Sequence, residues 1–316
     1  MSRWSTTDIG DQTGRRFLVT GVTGGLGTQI AGELARHGAS LIVTARDAAK
    51  AEATLERVRR LAPEADIRLV DLDLADLASV ERAAEAVHGL TDRIDVLVNN
   101  AGIMVPPLRH TADGFELQIG TNHLGHFALT ARLWPLLADA PGARVVTVSS
   151  LAHTAARRVD LRSLTPEGAP RRYRRWPVYA ESKLANLQFA QELHRRAGAA
   201  GLDVASVAAH PGFAATELTK TGWGLGGLAP VGFVMHQGTK VIAQSAHAGA
   251  MPILMAATDP ALTGGEYLGP QGFRGLRGRP GPSPMTRAAR DADLGAALWA
   301  ASESAAGLSF PVTSAG

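Results

Sequence analysis

TGVTGGLG (residues 20–27) stands directly after a short β-branched run, FLVTG (17–21), and directly before a helix-length pattern, GTQIAGELARHG (27–38). Glycine at 21, 25 and 27 lets the chain turn tightly and lets its backbone approach an anionic group closely. A helix N-terminus offers free N–H groups and the positive end of the helix dipole, so the group that fits there is a pyrophosphate. Thr23 and Leu26 lie inside the same turn. The spacing G-x-x-x-G-x-G departs from the G-x-G-x-x-G fingerprint of dinucleotide domains. Its placement between strand and helix is nevertheless the one the mechanism requires.

Outward from this turn, SLIVTAR (40–46), IRLVDL (67–72), IDVLVNN (94–100), ARVVTVSS (143–150) and LDVASVAAH (202–210) read as buried strands. They are β-branched and nearly continuous in apolar residues. Helix-length segments such as AAKAEATLERVRRL (48–61) separate them. Strands joined by crossover helices form a parallel sheet covered on both faces, so the expected fold is α/β, a Rossmann-type doubly wound sheet. The expected organisation is an N-terminal extension (1–14), one domain (15–270) and a C-terminal extension (271–316). GPQGFRGLRGRPGPSP (269–284) reads as irregular, and ADLGAALWAASESAAG (292–307) as one last helix. This tail is expected to be a solvated cover.

Composition narrows the function. Cysteine is absent, which removes disulfides, thiolate metal sites and cysteine nucleophiles together. The net charge of +3 is small for 316 residues, and 28 arginines against four lysines is the usage of a GC-rich genome rather than of a nucleic-acid binder. The N-terminus lacks the apolar core of a signal peptide. The longest uncharged stretch, 221–239, holds six glycines and a proline, a poor membrane span. A cytoplasmic protein without a membrane anchor is expected.

The second strand should end at the adenosine ribose, where an acidic residue would take the 2′-hydroxyl of NAD and an arginine the 2′-phosphate of NADP. The chain has Ala45 and then Arg46, with Asp47 past the strand end. A guanidinium suits phosphate through several directed hydrogen bonds, so NADP(H) is the expected cofactor. Two further strand ends face the same crevice. Asp73 and Leu74 are placed for the adenine. NNAG (99–102) supplies Ala101 and Gly102 as small residues beside the adenosine, with Asn99 as a polar anchor.

YAESK (179–183) places one of three tyrosines four residues before one of four lysines. On a helix these share a face. TGVTGGLG, NNAG, the serine pair ending TVSS (147–150), YAESK and HPG (210–212) occur in the order found in short-chain dehydrogenases/reductases, and the chain resembles that family over about residues 15–220. NHLGHF (122–127), YAESKLANL (179–187) and HPGFAATEL (210–218) resemble its retinol-dehydrogenase-like branch, particularly the soluble bacterial members.

The resemblance implies a catalytic tetrad: Tyr179 as general acid/base, Lys183 as its helper and a contact of the nicotinamide ribose, Ser150 as the carbonyl-binding serine, and Asn122 as support for a proton-relay water. It also places Pro211, Gly212 and Thr216 at the nicotinamide. A free tyrosine ionises at about pH 10, too high for efficient proton exchange near neutrality. Bringing it down to about 7 takes roughly 4 kcal/mol, which one ammonium about 4 Å away supplies at an effective dielectric near 20.

The substrate implied is the carbonyl or alcohol of a hydrophobic small molecule or secondary metabolite. The loop at about 213–240 is the expected substrate loop, and its stretch 218–240, with Trp223, Leu225, Phe233 and Met235, the expected lid. RRYRRWP (171–177) reads as a solvated charge run. His123 and His126 lack companion ligands for zinc, and His210 reads as structural. Open alternatives are an epimerisation, cyclisation or C=C reduction on the same scaffold, and a non-catalytic NADP-binding regulator. A homodimer through the helices beside Tyr179 is compatible with the sequence, unless the C-terminal extension covers that face.

Overall fold

A strand covered on both faces has to be apolar along its length. β1 (Arg16–Thr20) meets that condition, with Phe17, Leu18 and Val19 fully buried. The structure, a computed structural model, describes residues 4–166, 173–213 and 244–312. β1 leads into α1 (Gly25–Arg36), β2 (Ser40–Ala45), α2 (Ala48–Leu61), β3 (Ile67–Asp71), α3 (Leu77–Leu90) and β4 (Val96–Asn99). A broken helix follows: α4 (Leu117–Ile119), a π-helical turn (Gly120–Leu124) and α5 (Gly125–Arg132). Then come α6 (Trp134–Ala138), β5 (Ala143–Val148), α7 (Arg175–Ala199) and β6 (Val204–Ala209). α8 (Ala246–Thr258), β7 (Tyr267–Pro270), β8 (Pro280–Pro282), α9 (Arg287–Arg290) and α10 (Ala292–Ala306) complete the described elements.

The sheet runs β3-β2-β1-β4-β5-β6-β7-β8, and all neighbours are parallel except β7 and β8. This is the expected doubly wound α/β fold. The order reverses between β1 and β4, where Leu18 is paired with Ile42 on one side and Leu97 on the other. That reversal opens a crevice at the carboxyl ends of the strands, where ligands of such sheets bind. One face of the sheet packs on α1, α2 and α8, the other on α3, α5 and α7.

Two expectations for the C-terminal part need correction. The stretch 269–284 is not wholly irregular. It carries the end of β7 and all of β8, which pair antiparallel from Leu268 opposite Pro282 to Pro270 opposite Pro280. Proline is tolerated there because β8 is the sheet's edge, where a missing N–H breaks no ladder. The tail is also more than a solvated cover. Trp299 of α10 and Phe310 are buried against Phe127 of α5, with ring centroids 5.2 and 5.3 Å away, and Arg196 of α7 lies over the Trp299 ring at 4.5 Å. At the other end, Trp4 and Ile9 are buried in the core beside α1 and α2.

Candidate active site

The glycine turn is shaped by close approach. Gly21 has φ +75°, and a Cβ on it would stand 2.8 Å from the Cβ of Ala101. A Cβ on Gly27 would overlap the carbonyl oxygen of Gly21. A side chain at either position would push the turn away from the sheet. α1 therefore begins at Gly25 with its first N–H groups facing a cleft of about 850 Å³. Gly21, Thr23, Gly25, Leu26 and Gly27 line one wall of it. Arg46, Asp73, Leu74, Ala101 and Gly102 line the other parts. The volume lies within the range that encloses most of a cofactor-sized ligand.

At the far end of β2 the charges are divided by task. Asp47 caps α2, accepting from the Lys50 N–H at 3.1 Å and pairing with its ammonium at 3.1 Å, which holds its carboxyl below the usual range. Arg46 is 74% exposed at the cleft, 4.0 Å from Asp73 at its nearest oxygen. Asp73 itself accepts from the Ala75 N–H at 2.9 Å. The guanidinium is thus the group left free to meet an anion.

Asn99 is not where it was expected. Strand alternation turns its side chain into the helix layer, where its amide donates to Thr130 at 3.0 Å and its carbonyl oxygen has no partner. Asn100 lines the cleft instead, donating to the Thr20 carbonyl at 2.7 Å. Thr20 ties this region together. Its hydroxyl accepts from the N–H groups of Asn100 and Ala101, both at 2.9 Å, and so donates to Nε2 of His126 at 2.9 Å. That leaves the Nδ1–H of His126 to donate to the Asn122 carbonyl at 3.1 Å. Burial pushes His126 down to about 4, so it stays neutral. Among the described residues no cluster able to hold a metal is present. His210 is fully buried between the Gly212 N–H and Ser283, as a structural histidine should be.

The four tetrad positions meet where α7 passes the end of β5. Tyr179 and Lys183 lie one turn apart on the buried face of α7. The Ser150 hydroxyl, which accepts from the Ala152 N–H at 3.2 Å, lies near enough to the Tyr179 phenol to favour its ionised form. Asn122 sits in the π-helical turn, a distortion frequent at functional sites. Its side-chain oxygen accepts from the Ile103 N–H at 2.8 Å, and its amide donates to the Ile103 carbonyl and to Ser182, each at 3.0 Å. Gly102 joins cleft and tetrad: a Cβ there would stand 3.0 Å from the Asn122 oxygen and 3.4 Å from the Lys183 ammonium.

Residues that motif reading passed over hold this junction. The Ser149 hydroxyl donates to the Lys183 carbonyl at 2.7 Å, and Asn186 donates to the Val148 carbonyl at 2.9 Å. Ser182 donates to the Tyr179 carbonyl at 2.8 Å. Ser182 and Asn186 follow Tyr179 by three and seven residues, the spacing of one helix face, and that was the available signal.

The electrostatics differ from the simple expectation. Burial pushes Tyr179 up to about 12, only partly offset by Ser150, and pulls Lys183 down to about 8. The ammonium is aimed at the Val148 carbonyl, 3.3 Å away, and lies 5.9 Å from the centre of the Tyr179 ring. Desolvation therefore outweighs attraction at this distance. Pro211 and Gly212 stand at the base of the loop, where Gln244 donates to the Pro211 carbonyl at 2.6 Å. Thr216, the expected lid at 218–240, and Arg171 and Arg172 lie outside the described residues.

The short chain dehydrogenase family model matches residues 15–159. Human retinol dehydrogenase 13 is 36% identical over 305 residues, covering 94% of this chain and 86% of that protein. The chain belongs to the short-chain dehydrogenase/reductase family. A crystal structure of an uncharacterised protein from Mycobacterium paratuberculosis is 41% identical, with a TM-score of 0.79 over 98% of this chain and 100% of that one. The Pseudomonas aeruginosa RhlG/NADP active-site complex is 25% identical, with a TM-score of 0.62 over 81% and 94%. Among the described residues no helix is long and apolar enough to cross a membrane.

Proposed function

We propose that this protein is an NADP(H)-dependent reductase or dehydrogenase acting on the carbonyl or secondary alcohol of a hydrophobic small molecule. The observation that carries the reading is Tyr179 and Lys183 buried one turn apart on α7, with Gly102 bringing Asn122 and Lys183 to the end of a glycine-walled cleft edged by Arg46. The glycine turn and the start of α1 would hold the pyrophosphate, and Arg46 the 2′-phosphate. The RhlG relative, captured with NADP, supports that choice. Bound there, the nicotinamide supplies or accepts the hydride.

The chain's own part is polar and positional. Ser150 donates to the substrate oxygen, where charge grows as the carbonyl is reduced. Tyr179 then gives that oxygen its proton, and in the reverse direction takes it back. Asn122 supports a relay that restores the phenol. With Tyr179 pushed up to about 12, the phenol is protonated at neutral pH, the form from which a carbonyl reduction takes its proton. Trp176 is 52% exposed and stands edge-on to Tyr179, ring centroids 6.2 Å apart, an apolar surface beside that ring. The retinol dehydrogenase relative supports an alcohol–carbonyl pair as the substrate class.

Fluorescence titration with NADPH and NADH, followed by the nicotinamide absorbance with a panel of ketones and aldehydes, tests this. Tighter NADPH binding with consumption on a carbonyl is the expected result. Failure to bind either nucleotide would remove the reading.

A further inference from the structure

The chain beyond NNAG is held at three successive points. Ile103 exchanges two hydrogen bonds with the Asn122 side chain, at 2.8 and 3.0 Å. The Val105 N–H donates to the side-chain oxygen of Gln118 at 2.9 Å. The Pro106 carbonyl accepts from the Tyr173 hydroxyl at 3.0 Å. The Gln118 amide completes the set, donating to the Tyr173 oxygen at 3.0 Å and to the Arg175 carbonyl at 3.1 Å.

Val105 shows why such holding is needed. Its φ is +49°, in the left-handed region, which a β-branched residue adopts only when its surroundings force it. Strain of this kind persists where neighbouring contacts over-determine the backbone, and it clusters at functional sites. The clamp is built to last: Gln118 is fully buried, and Glu116, also fully buried, fixes the turn that carries it by accepting from the N–H groups of Gln118 and Ile119. Ile103 lines the nucleotide cleft and is tied to the Asn122 side chain, so residues 104–106 continue the chain directly from that corner of the site.

We propose that Tyr173 is a positioning residue: its hydroxyl locks the strained wall 103–106 in the shape that seats the carbonyl against Ser150 and Tyr179. The inference rests on the reductase reading above. It also gives the run RRYRRWP a purpose. The arginines frame a tyrosine six residues ahead of the acid/base, at the foot of the same helix, and that tyrosine reaches across to the opposite wall. Trp176, three residues on, stands edge-on to the Tyr179 ring.

The test is Tyr173→Phe, which keeps the ring and removes only the hydroxyl, with Gln118→Met as a second variant that cuts the clamp from the other side. Hydrogen exchange is read at the amides of Ile103, Met104 and Val105, alongside KM for a carbonyl and for NADPH. Loss of these half-buried hydrogen bonds predicts about tenfold faster exchange at these amides and about a tenfold rise in carbonyl KM, with the NADPH constant within about twofold. Unchanged exchange at 103–105 would overturn the clamp. Faster exchange with an unmoved carbonyl KM, or with both KM values rising together, would overturn its role in seating the substrate. Should the wild-type protein consume no NADPH on any carbonyl, the reductase reading falls, and the exchange rates still decide the clamp.

Discussion

The hydroxyl of Ser149 donates a 2.7 Å hydrogen bond to the main-chain carbonyl of Lys183, joining the end of β5 to the middle of α7. Two side chains of α7 return the contact, Lys183 and Asn186 both donating to the Val148 carbonyl. The position of the lysine is thus set by the residue next to Ser150 rather than by the helix alone. Both Ser149 and Lys183 are nearly fully buried, so water does not replace a lost partner. Ser149→Ala is expected to cost about 1 kcal/mol of stability, read as a lower denaturant midpoint. Its kcat should fall several-fold, with NADPH affinity falling by no more than about twofold, because the bond lies at the tetrad and away from the adenosine cleft. An unchanged kcat would show that α7 holds the lysine without help from β5.

The pH dependence follows from the two buried groups at the tetrad. Tyr179, pushed up to about 12, stays protonated through the neutral range and is ready to donate. Lys183, pulled down to about 8, loses its charge as the pH rises past that value. Carbonyl reduction should therefore be level from about pH 6 to 7 and decline above about 8, whereas alcohol oxidation, which needs the phenolate as base, should rise with pH. Steady-state rates in both directions across that range check this. Reduction that climbs with pH above 8 would contradict the assignment of the proton donor.

Arg46→Asp should exchange the cofactor preference. Loss of a charge-assisted contact to phosphate, with a carboxylate in its place, predicts NADPH binding weaker by about 100-fold and NADH binding nearly unchanged. The measurement is a pair of fluorescence titrations on each protein. Equal weakening of both nucleotides would mean that Arg46 only solvates the loop.

The fold was largely legible because six strands are nearly continuous apolar runs, the trace that burial on both faces leaves in sequence; β3, with Arg68 and Asp71 exposed, carries it least. β7 and β8 were not legible, since Tyr-Leu-Gly-Pro and Pro-Gly-Pro carry neither alternation nor an apolar run. Their pairing depends on position at the sheet edge, which only the tertiary structure provides. The site divides in the same way. Gly21 and Gly27 stand where a side chain would collide with a neighbouring wall, and Gly102 where it would press on Asn122 and Lys183. Asn99 and Asn100 could not be told apart by motif, because facing alternates with each residue and the last residue of a strand decides it. Tyr173 was hidden by composition: flanked by arginines, it looked like solvated charge. Only the structure shows its hydroxyl on the far wall. The ionisation of Tyr179 depends on how deeply the ring is buried and where the Lys183 ammonium points, and neither can be read from a four-residue spacing.

The central claim is that Tyr179 delivers the proton to a carbonyl reduced with NADPH. The most direct measurement is NADPH consumption by wild-type and Tyr179→Phe proteins, each preloaded with cofactor and mixed with a carbonyl that the wild type reduces. Tyr179→Phe should bind NADPH with wild-type affinity and consume it at least about 100-fold more slowly, the share general acid catalysis contributes. Wild-type rates from Tyr179→Phe would contradict the account and move the chemistry to another donor or another reaction.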